Sequence, residues 1–248
     1  MKFVVYSHSD YLDILNVQTE YMQKIIDKVL LINSNDLNLD YIYKQYKEVI
    51  FYDDSKPYAS RLLSLKKLLD EYILFIHDID ILISHNIETL NSIETYMKNN
   101  HINRIDLQVR NSWDRFNQNK IFIDSIELCK QTNENNYIYN VNPSIWKLNS
   151  LLDVMKVFSN ETYRTIECIN TQLYCKKFNI YKLFSDKYIR CGWFSCLEFF
   201  EFIHITHHGK LLPLINNNLD IKFSDHYTNI IEKILKHNNT RVFSNRNP

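Results

Sequence analysis

The chain has 248 residues, of which 2 are glycine where average usage would supply roughly seventeen, and its 29 Lys and Arg balance 29 Asp and Glu. A Rossmann dinucleotide turn, a P-loop or a kinase-type lid needs clustered glycines to bring backbone amides onto phosphate, and Gly192 and Gly209 cannot build one. The charge balance excludes a global basic field for nucleic acid or an anionic membrane surface, and no uninterrupted run of about 18 apolar residues is available for an integral membrane segment.

In chain order, residues 2–7 read as a strand, 10–27 as a helix with Leu12, Leu15, Tyr21, Met22 and Ile25 at helical spacing, and 28–32 as a second strand. A short helix near 37–46 precedes a third strand at 48–52. Pro57 opens a helix at its first turn, with Leu62, Leu65, Leu68 and Leu69 as the predicted buried stripe. The wholly apolar 72–76 reads as a central parallel strand. A helix at about 86–98 and a strand at 104–109 follow. The rhythm then loosens into a polar 111–119, a hairpin-like 120–140, helices at about 150–158 and 161–178, a strand at 202–206 and a helix near 225–237. This alternation predicts parallel strands under covering helices. No repeat or linker divides the chain, which reads as one domain over 1–248, with a nucleotide-binding half at about 1–100 and a half at about 101–248 closing the cleft.

The 29 asparagines and the single alanine, Ala59, fit AT-rich codon usage, so runs such as Asn216-Asn217-Asn218 carry little functional weight. Five cysteines, Cys129, Cys168, Cys175, Cys191 and Cys196, form no C-x-x-C pair and are expected as free thiols of a soluble, cytoplasmic protein.

Ligands in open α/β sheets bind beyond the carboxyl ends of the strands, where the fourth strand runs into Asp78-Ile79-Asp80. With 17 aspartates a D-x-D arises about once by chance, so its position is the informative part. Two such carboxylates must face solvent or meet a cation, and a divalent ion with oxygen ligands would also hold a diphosphate. In His207-His208-Gly209-Lys210, one histidine is expected as a third ligand and Lys210 as a charge on phosphate. On a continuing strand His204 and His208 share one face and His207 the other. Arg61 either lies on a helix surface or reaches the carboxylates or a nucleotide. Glu167, read as mid-helix, is either solvated or a cleft-facing general base. Trp146 and Trp193 are core residues or sugar-stacking platforms.

Tyr58-x-x-Arg61-Leu62 and YILFIHDID (72–80), followed in order by NVNPSIWK (140–147), RTIE (164–167), CGWFS (191–195) and HITHHGKLLP (204–213), resemble the GT-A glycosyltransferases, particularly a group common in large DNA viruses and some bacteria. The resemblance spans nearly the whole chain, and its short motifs are specific only as an ordered set. It implies an α/β fold with a Rossmann-type central sheet, mostly parallel and flanked by helices, and a mixed C-terminal half. It implies transfer of a sugar from a nucleoside-diphosphate sugar, a UDP-sugar foremost, to a glycan or protein-linked glycan, with Mn2+ or Mg2+ on the donor diphosphate. By the same resemblance Asp78 contacts the ribose or metal-bound water, Asp80 chelates the metal, and His207 or His208 completes the site. Ser7, His8 and Ser9 after the first strand and Asn33 after the second would flank the nucleotide, with Arg61 and Lys210 on the donor. Glu167 would face the acceptor, and Trp193 and Trp146 would bind it. His77 and Ile79 stand where many relatives carry further acidic residues.

Three alternatives compete, of which a sugar-nucleotide-forming nucleotidyltransferase shares the fold logic but normally needs a glycine-rich N-terminal loop that this chain cannot supply. A haloacid-dehalogenase-type phosphatase also places D-x-D after an apolar strand, but after the first strand and with Thr or Val where Leu82 stands. A catalytically degenerate GT-A-like domain would serve as a binding or scaffold module. With glycine so scarce, Gly192 and Gly209 are expected at positive φ or at a close ligand approach.

Overall fold

In a computed structural model, the structure describes residues 1–110, 120–123, 126–131, 138–184, 194–197, 199–207, 209–213 and 221–244. Strands β1 (Lys2–Tyr6), β2 (Lys28–Ile32), β3 (Glu48–Phe51) and β4 (Tyr72–His77) pair in parallel in the order β3-β2-β1-β4. Their composition dictates this: side chains alternate across a strand, and these strands are apolar on both faces. Phe3 and Val5 of β1 enter one core layer with Leu30 and Ile32 of β2 and Leu74 and Ile76 of β4, while Val4, Val29, Leu31, Ile73 and Phe75 enter the other.

β5 (Asp80–His85) leaves this sheet, which continues through β6 (Arg104–Arg110), β7 (Lys120–Ile123), β8 (Ile126–Lys130), β9 (Ser144–Lys147) and β10 (Ile180–Phe184) to the nine-strand order β3-β2-β1-β4-β9-β6-β10-β8-β7. Only β9 and β8 run against the rest of this sheet. β5 pairs instead with β12 (Phe200–His204), which also pairs with β11 (Phe194–Leu197); β13 (Thr206–His207) and β14 (Lys210–Leu211) form a separate hairpin.

Helices α1 (Leu12–Tyr21), α2 (Asp40–Tyr43) and α4 (Ile87–Asn99) contribute Leu15, Ile42, Leu90, Ile93 and Met97 to the first layer; α3 (Tyr58–Leu62) and α5 (Leu148–Val157) contribute Ala59, Leu62, Leu151 and Val154 to the second. α6 (Ile169–Cys175) lies beyond α5, and α7 (Ile221–His237) packs Ile230 and Ile234 against Ile14 and Val17 of α1 and Ile81 and Ile203 of the small sheet. Among the described residues no helix is long and apolar enough to cross a membrane.

Several local expectations need correction. The first helix ends at Tyr21 rather than 27, although Met22 and Ile25 are still buried. Leu69 is 98% exposed because the chain leaves its helix in a 3-10 segment, Leu63–Lys67, before reaching it. β5, β9 and β10 were not anticipated as strands. The expected helix over 161–178 is helical only from Ile169 to Cys175. Thr162 and Thr165 explain this: the Thr165 hydroxyl accepts from the Thr162 amide at 2.9 Å, giving the backbone a turn in place of a helix.

Candidate functional site

The loops after β1, β2, β3 and β4 meet at the carboxyl edge of the parallel strands. The ladder extends one residue past β1 and β4, with Ser7 N donating to Leu31 O at 2.9 Å and Asp78 N to Tyr6 O at 2.9 Å. Ser7 and Asp78 are therefore neighbours, and the Ser7 hydroxyl donates to Asp78 Oδ2 at 2.5 Å. Tyr52, just past β3, donates its hydroxyl to Ser7 O at 2.8 Å.

Asn33 follows β2 and holds the other end of this loop. Its Oδ1 accepts from Ser9 N at 2.8 Å, and its Nδ2 donates to Ser9 Oγ at 3.1 Å. His8 Nε2 lies 3.1 Å from both carboxylate oxygens of Asp54, and Arg61 Nη2 lies 3.0 Å from Asp54 Oδ1. Arg61 also donates to Asp54 O and Lys56 O, and its guanidinium lies 5.3 Å from the Tyr52 ring centre, with Tyr52 stacked on Tyr6. Ser7, His8, Ser9, Asn33, Arg61 and Asp78 thus occupy one continuous cluster. Sequence reading missed Asp54, which joins His8 to Arg61; its signal, Asp53-Asp54 directly after a strand, resembles an ordinary polar turn.

Asp78 and Asp80 are 5% and 4% exposed. Asp80 opens β5, where the chain leaves the main sheet and its backbone loses that ladder. Gln18 of α1, fully buried, replaces it: Nε2 donates to Asp80 O at 3.2 Å and Oε1 accepts from Leu82 N at 2.9 Å. From the other side β12 places His204 opposite Asp80, and His204 Nδ1 lies 2.6 Å from Asp80 Oδ1. A histidine from the C-terminal half does meet the D-x-D pair, and it is His204. The His207 side chain, His208, Trp193 and Gly192 lie outside what the structure describes. Lys210 is exposed on the β13–β14 hairpin. Gly209 adopts φ 77°, as expected, and a Cβ there would lie 3.3 Å from the Tyr11 hydroxyl.

Burial pushes the Asp78 carboxyl up to about 7 against the hydrogen bonds from Ser7 and the Ile79 and His8 amides, and the neighbouring charge of Asp80 adds to the rise. Because this folded pKa exceeds the unfolded value of about 3.9, the folded state binds more protons between pH 4 and 7, and stability falls as pH rises through that window. Asp78→Asn keeps an acceptor for Ser7 and removes the charge. Without divalent cations, the melting temperature of Asp78→Asn should exceed wild type by roughly 5 °C at pH 8 and by nothing at pH 4. A difference that does not change with pH would refute this account of Asp78.

Behind the pair, His77 is buried with Nε2 2.8 Å from the Tyr58 hydroxyl, and burial lowers it to about 4, so the imidazole is neutral. Tyr163 packs edge-on against both rings at 5.3 Å. It is 38% exposed, and its phenol is raised by enclosure and then by the charges of Asp80, Glu167 and Asp78. Glu167 lies in the turn before α6, not within a helix, and its Oε1 accepts from Val141 N at 2.8 Å. Trp146 is corrected from an acceptor platform to a core residue: it is 2% exposed on β9, with the Arg104 guanidinium 4.9 Å from its ring centre.

Among the described residues no three His, Cys, Asp or Glu side chains form a ready-made metal cluster. The donor set still fits a hard divalent ion at the D-x-D pair: two buried carboxylates one residue apart, one of them pushed up to about 7 by burial and then by its neighbour's charge.

No known protein family and no curated protein matches the sequence. In structure the chain is similar to S. aureus TarS 1–349 in complex with UDP-GlcNAc, with TM-score 0.51 and 16% identity over 98% of this chain and 68% of that one. It is also similar to a cytidylyltransferase from Leptospira borgpetersenii serovar Hardjo-bovis (TM-score 0.48, 12% identity, 100% and 98% of the two chains) and to an apo UDP-glucose pyrophosphorylase (0.45, 10%, 74% and 90%). The chain spans 36% of a longer TarS chain. At these identities the likeness to TarS 1–349 shows the fold alone, a mixed α/β arrangement of the Rossmann-like GT-A type.

Proposed function

We propose that this chain is a metal-dependent glycosyltransferase that moves a sugar from a nucleoside-diphosphate sugar, a UDP-sugar foremost, to a hydroxyl of a glycan or protein-linked glycan. The observation that carries the reading is the convergence of Ser7, Asn33, Arg61, the Asp78-Asp80 pair and His204 at one strand edge from five separate segments. The TarS complex with UDP-GlcNAc, whose fold is similar, supports the choice of donor.

In this reading Asp80, oriented by His204, and Asp78, oriented by Ser7, hold Mn2+ or Mg2+. The ion supplies charge stabilisation to the departing diphosphate. Ser7, His8, Ser9 and Asn33 line the nucleoside side, where Asp54 and Arg61 keep the loop after β3 in place. Lys210 approaches the diphosphate from the hairpin, and His207 or His208 is kept as the further metal ligand that the sequence resemblance implies. Glu167 accepts the proton of the attacking hydroxyl through the oxygen opposite its Val141 bond. Trp193 contributes to the acceptor side, and Tyr163 takes over the aromatic role first assigned to Trp146. We place the protein in the cytoplasm, in keeping with free thiols at Cys168 and Cys175.

A ligand that binds only the folded state raises its melting temperature. With Mn2+ present, UDP or a UDP-sugar at about a hundredfold its dissociation constant should stabilise by about 2.7 kcal/mol, a shift of roughly 5 °C, with weaker effects from GDP and CDP. A shift with nucleotide but no turnover of any nucleotide sugar would favour a degenerate binding module. Hydrolysis of phosphate monoesters without any nucleotide shift would favour a D-x-D phosphatase.

A further inference from the structure

Arg241 lies beyond α7, far in sequence from the strand-edge cluster, yet it makes more polar contacts than a surface arginine needs. Nε and Nη2 bind the two carboxylate oxygens of Asp13 at the start of α1, and the Arg241 and Asp13 side chains are only 8% and 5% exposed. Nη1 donates to Gly209 O at 3.1 Å and Nη2 to Asp10 O at 3.2 Å, and the guanidinium lies 5.2 Å from the Tyr11 ring centre. The backbone on either side adds to the attachment: Leu211 N donates to Val242 O at 2.9 Å and Ser244 N to Leu211 O at 2.7 Å, so residues 242–244 run along β14.

The two pieces that Arg241 joins are both walls of the cluster. One is the turn at Ser9–Tyr11, directly after Ser7 and His8; the Tyr11 phenol is raised by burial and then by the charge of Asp78. The other is the hairpin of β13 and β14. It continues from β12 and His204, with Ile205 N donating to Ile79 O at 2.9 Å between the two aspartates, and it carries Lys210. Positive φ at Gly209 leaves its carbonyl on Arg241, and the absence of a Cβ lets the Tyr11 hydroxyl approach. This gives one of only two glycines in the chain a structural reason for its position.

We propose that Arg241 is a positioning residue of the donor site: it clasps the Gly209 hairpin to the Ser9–Tyr11 turn, so that the two walls on either side of Asp78 and Asp80 keep the spacing a nucleoside diphosphate requires. The inference rests on the donor-site reading above, and two readouts on the full chain separate their failures. Hydrogen exchange at the Tyr11, Leu211 and Leu212 amides reports the clasp without ligand. Calorimetric titration with UDP and MnCl2 reports the site. Arg241→Ala should accelerate exchange at those amides at least tenfold and weaken UDP binding at least tenfold. Arg241→Lys, which keeps the charge but loses the fork, should recover part of both. Lys233→Ala, which removes an exposed pair with Glu20 between α7 and α1, should change neither. Should Arg241→Ala fail to fold, Asp13→Asn is read in the same way, with smaller effects expected.

Faster exchange with unchanged UDP affinity would reduce Arg241 to a structural residue and overturn the proposal, as would unchanged exchange. Wild-type protein that binds none of UDP, CDP or GDP with Mn2+ or Mg2+ would overturn the donor-site reading and the coupling with it, while the exchange data would still decide the clasp by themselves.

Discussion

Asp80→Asn is expected to lower sugar transfer by about a thousandfold and to abolish the Mn2+ dependence of nucleotide binding, while leaving the fold intact. Asn keeps an acceptor 2.6 Å from His204 Nδ1, and the backbone at 80 is held independently by Gln18. What disappears is a buried anionic ligand, and with it the main reason for a cation to bind. His204→Ala should act more mildly, weakening the metal about 10- to 100-fold, since a residue that orients a ligand contributes less than the ligand itself. The measurement is UDP release from a panel of UDP-sugars across a Mn2+ titration. An Asp80→Asn protein with wild-type metal dependence would remove the D-x-D pair from the mechanism.

Arg104→Ala should give the largest loss of stability in the chain, about 3–5 kcal/mol or roughly 10 °C in melting temperature, measured by denaturant or thermal unfolding. Arg104 on β6 is fully buried. Its Nη1 donates to Ile138 O at 3.0 Å, and its Nη2 to Asn140 O, Asn140 Oδ1 and Ser144 Oγ at 3.0, 2.5 and 2.7 Å. Asn140 in turn donates to Asp106 Oδ2 at 2.6 Å, so the amide links a buried cation to a buried carboxylate. Removing the guanidinium strands the Asp106 charge and two carbonyls and empties the space between Tyr139 and Trp146. Arg104→Lys should recover little, because an ammonium cannot reproduce the planar fork. The same loop presents Val141 N to Glu167 and Tyr139 N and O to Gln172, so its loss should also loosen the acceptor side of the cleft. An Arg104→Ala protein within about 1 kcal/mol of wild type would contradict this view of the network.

Much of the strand-edge cluster was legible because it depends on short-range pattern. Apolar runs of five or six residues and the helical spacing of Leu12, Leu15, Tyr21 and Met22 are local patterns, and they mark β1, β2, β4 and α1. Once parallel strands are recognised, the residues just beyond their carboxyl ends must share one edge. The strand pattern thereby places Asp78 at that edge, while Ser7 and Asn33 were expected there through the resemblance to GT-A enzymes. The helical setting expected for Glu167 and the acceptor role expected for Trp146 failed for local reasons that pattern does not report. A threonine turn interrupts the helix expected around Glu167, and a buried guanidinium keeps Trp146 in the core.

By itself, then, the sequence determined the parallel half of the sheet, the position of the aspartate pair at its edge, and the exclusion of glycine-cradled phosphate sites. Tertiary structure alone decided which distant groups complete that edge. β9 runs against its neighbours between β4 and β6, β5 turns away to pair with β12, and His204 therefore reaches Asp80 across 124 positions. Arg241 reaches Asp13 across 228. These pairings follow from burying whole faces and satisfying backbone groups where β5 leaves the ladder, conditions that arise only once the layers have packed. No periodicity within either segment encodes its partner, because either strand face satisfies its own pattern equally well until the other segment is in place.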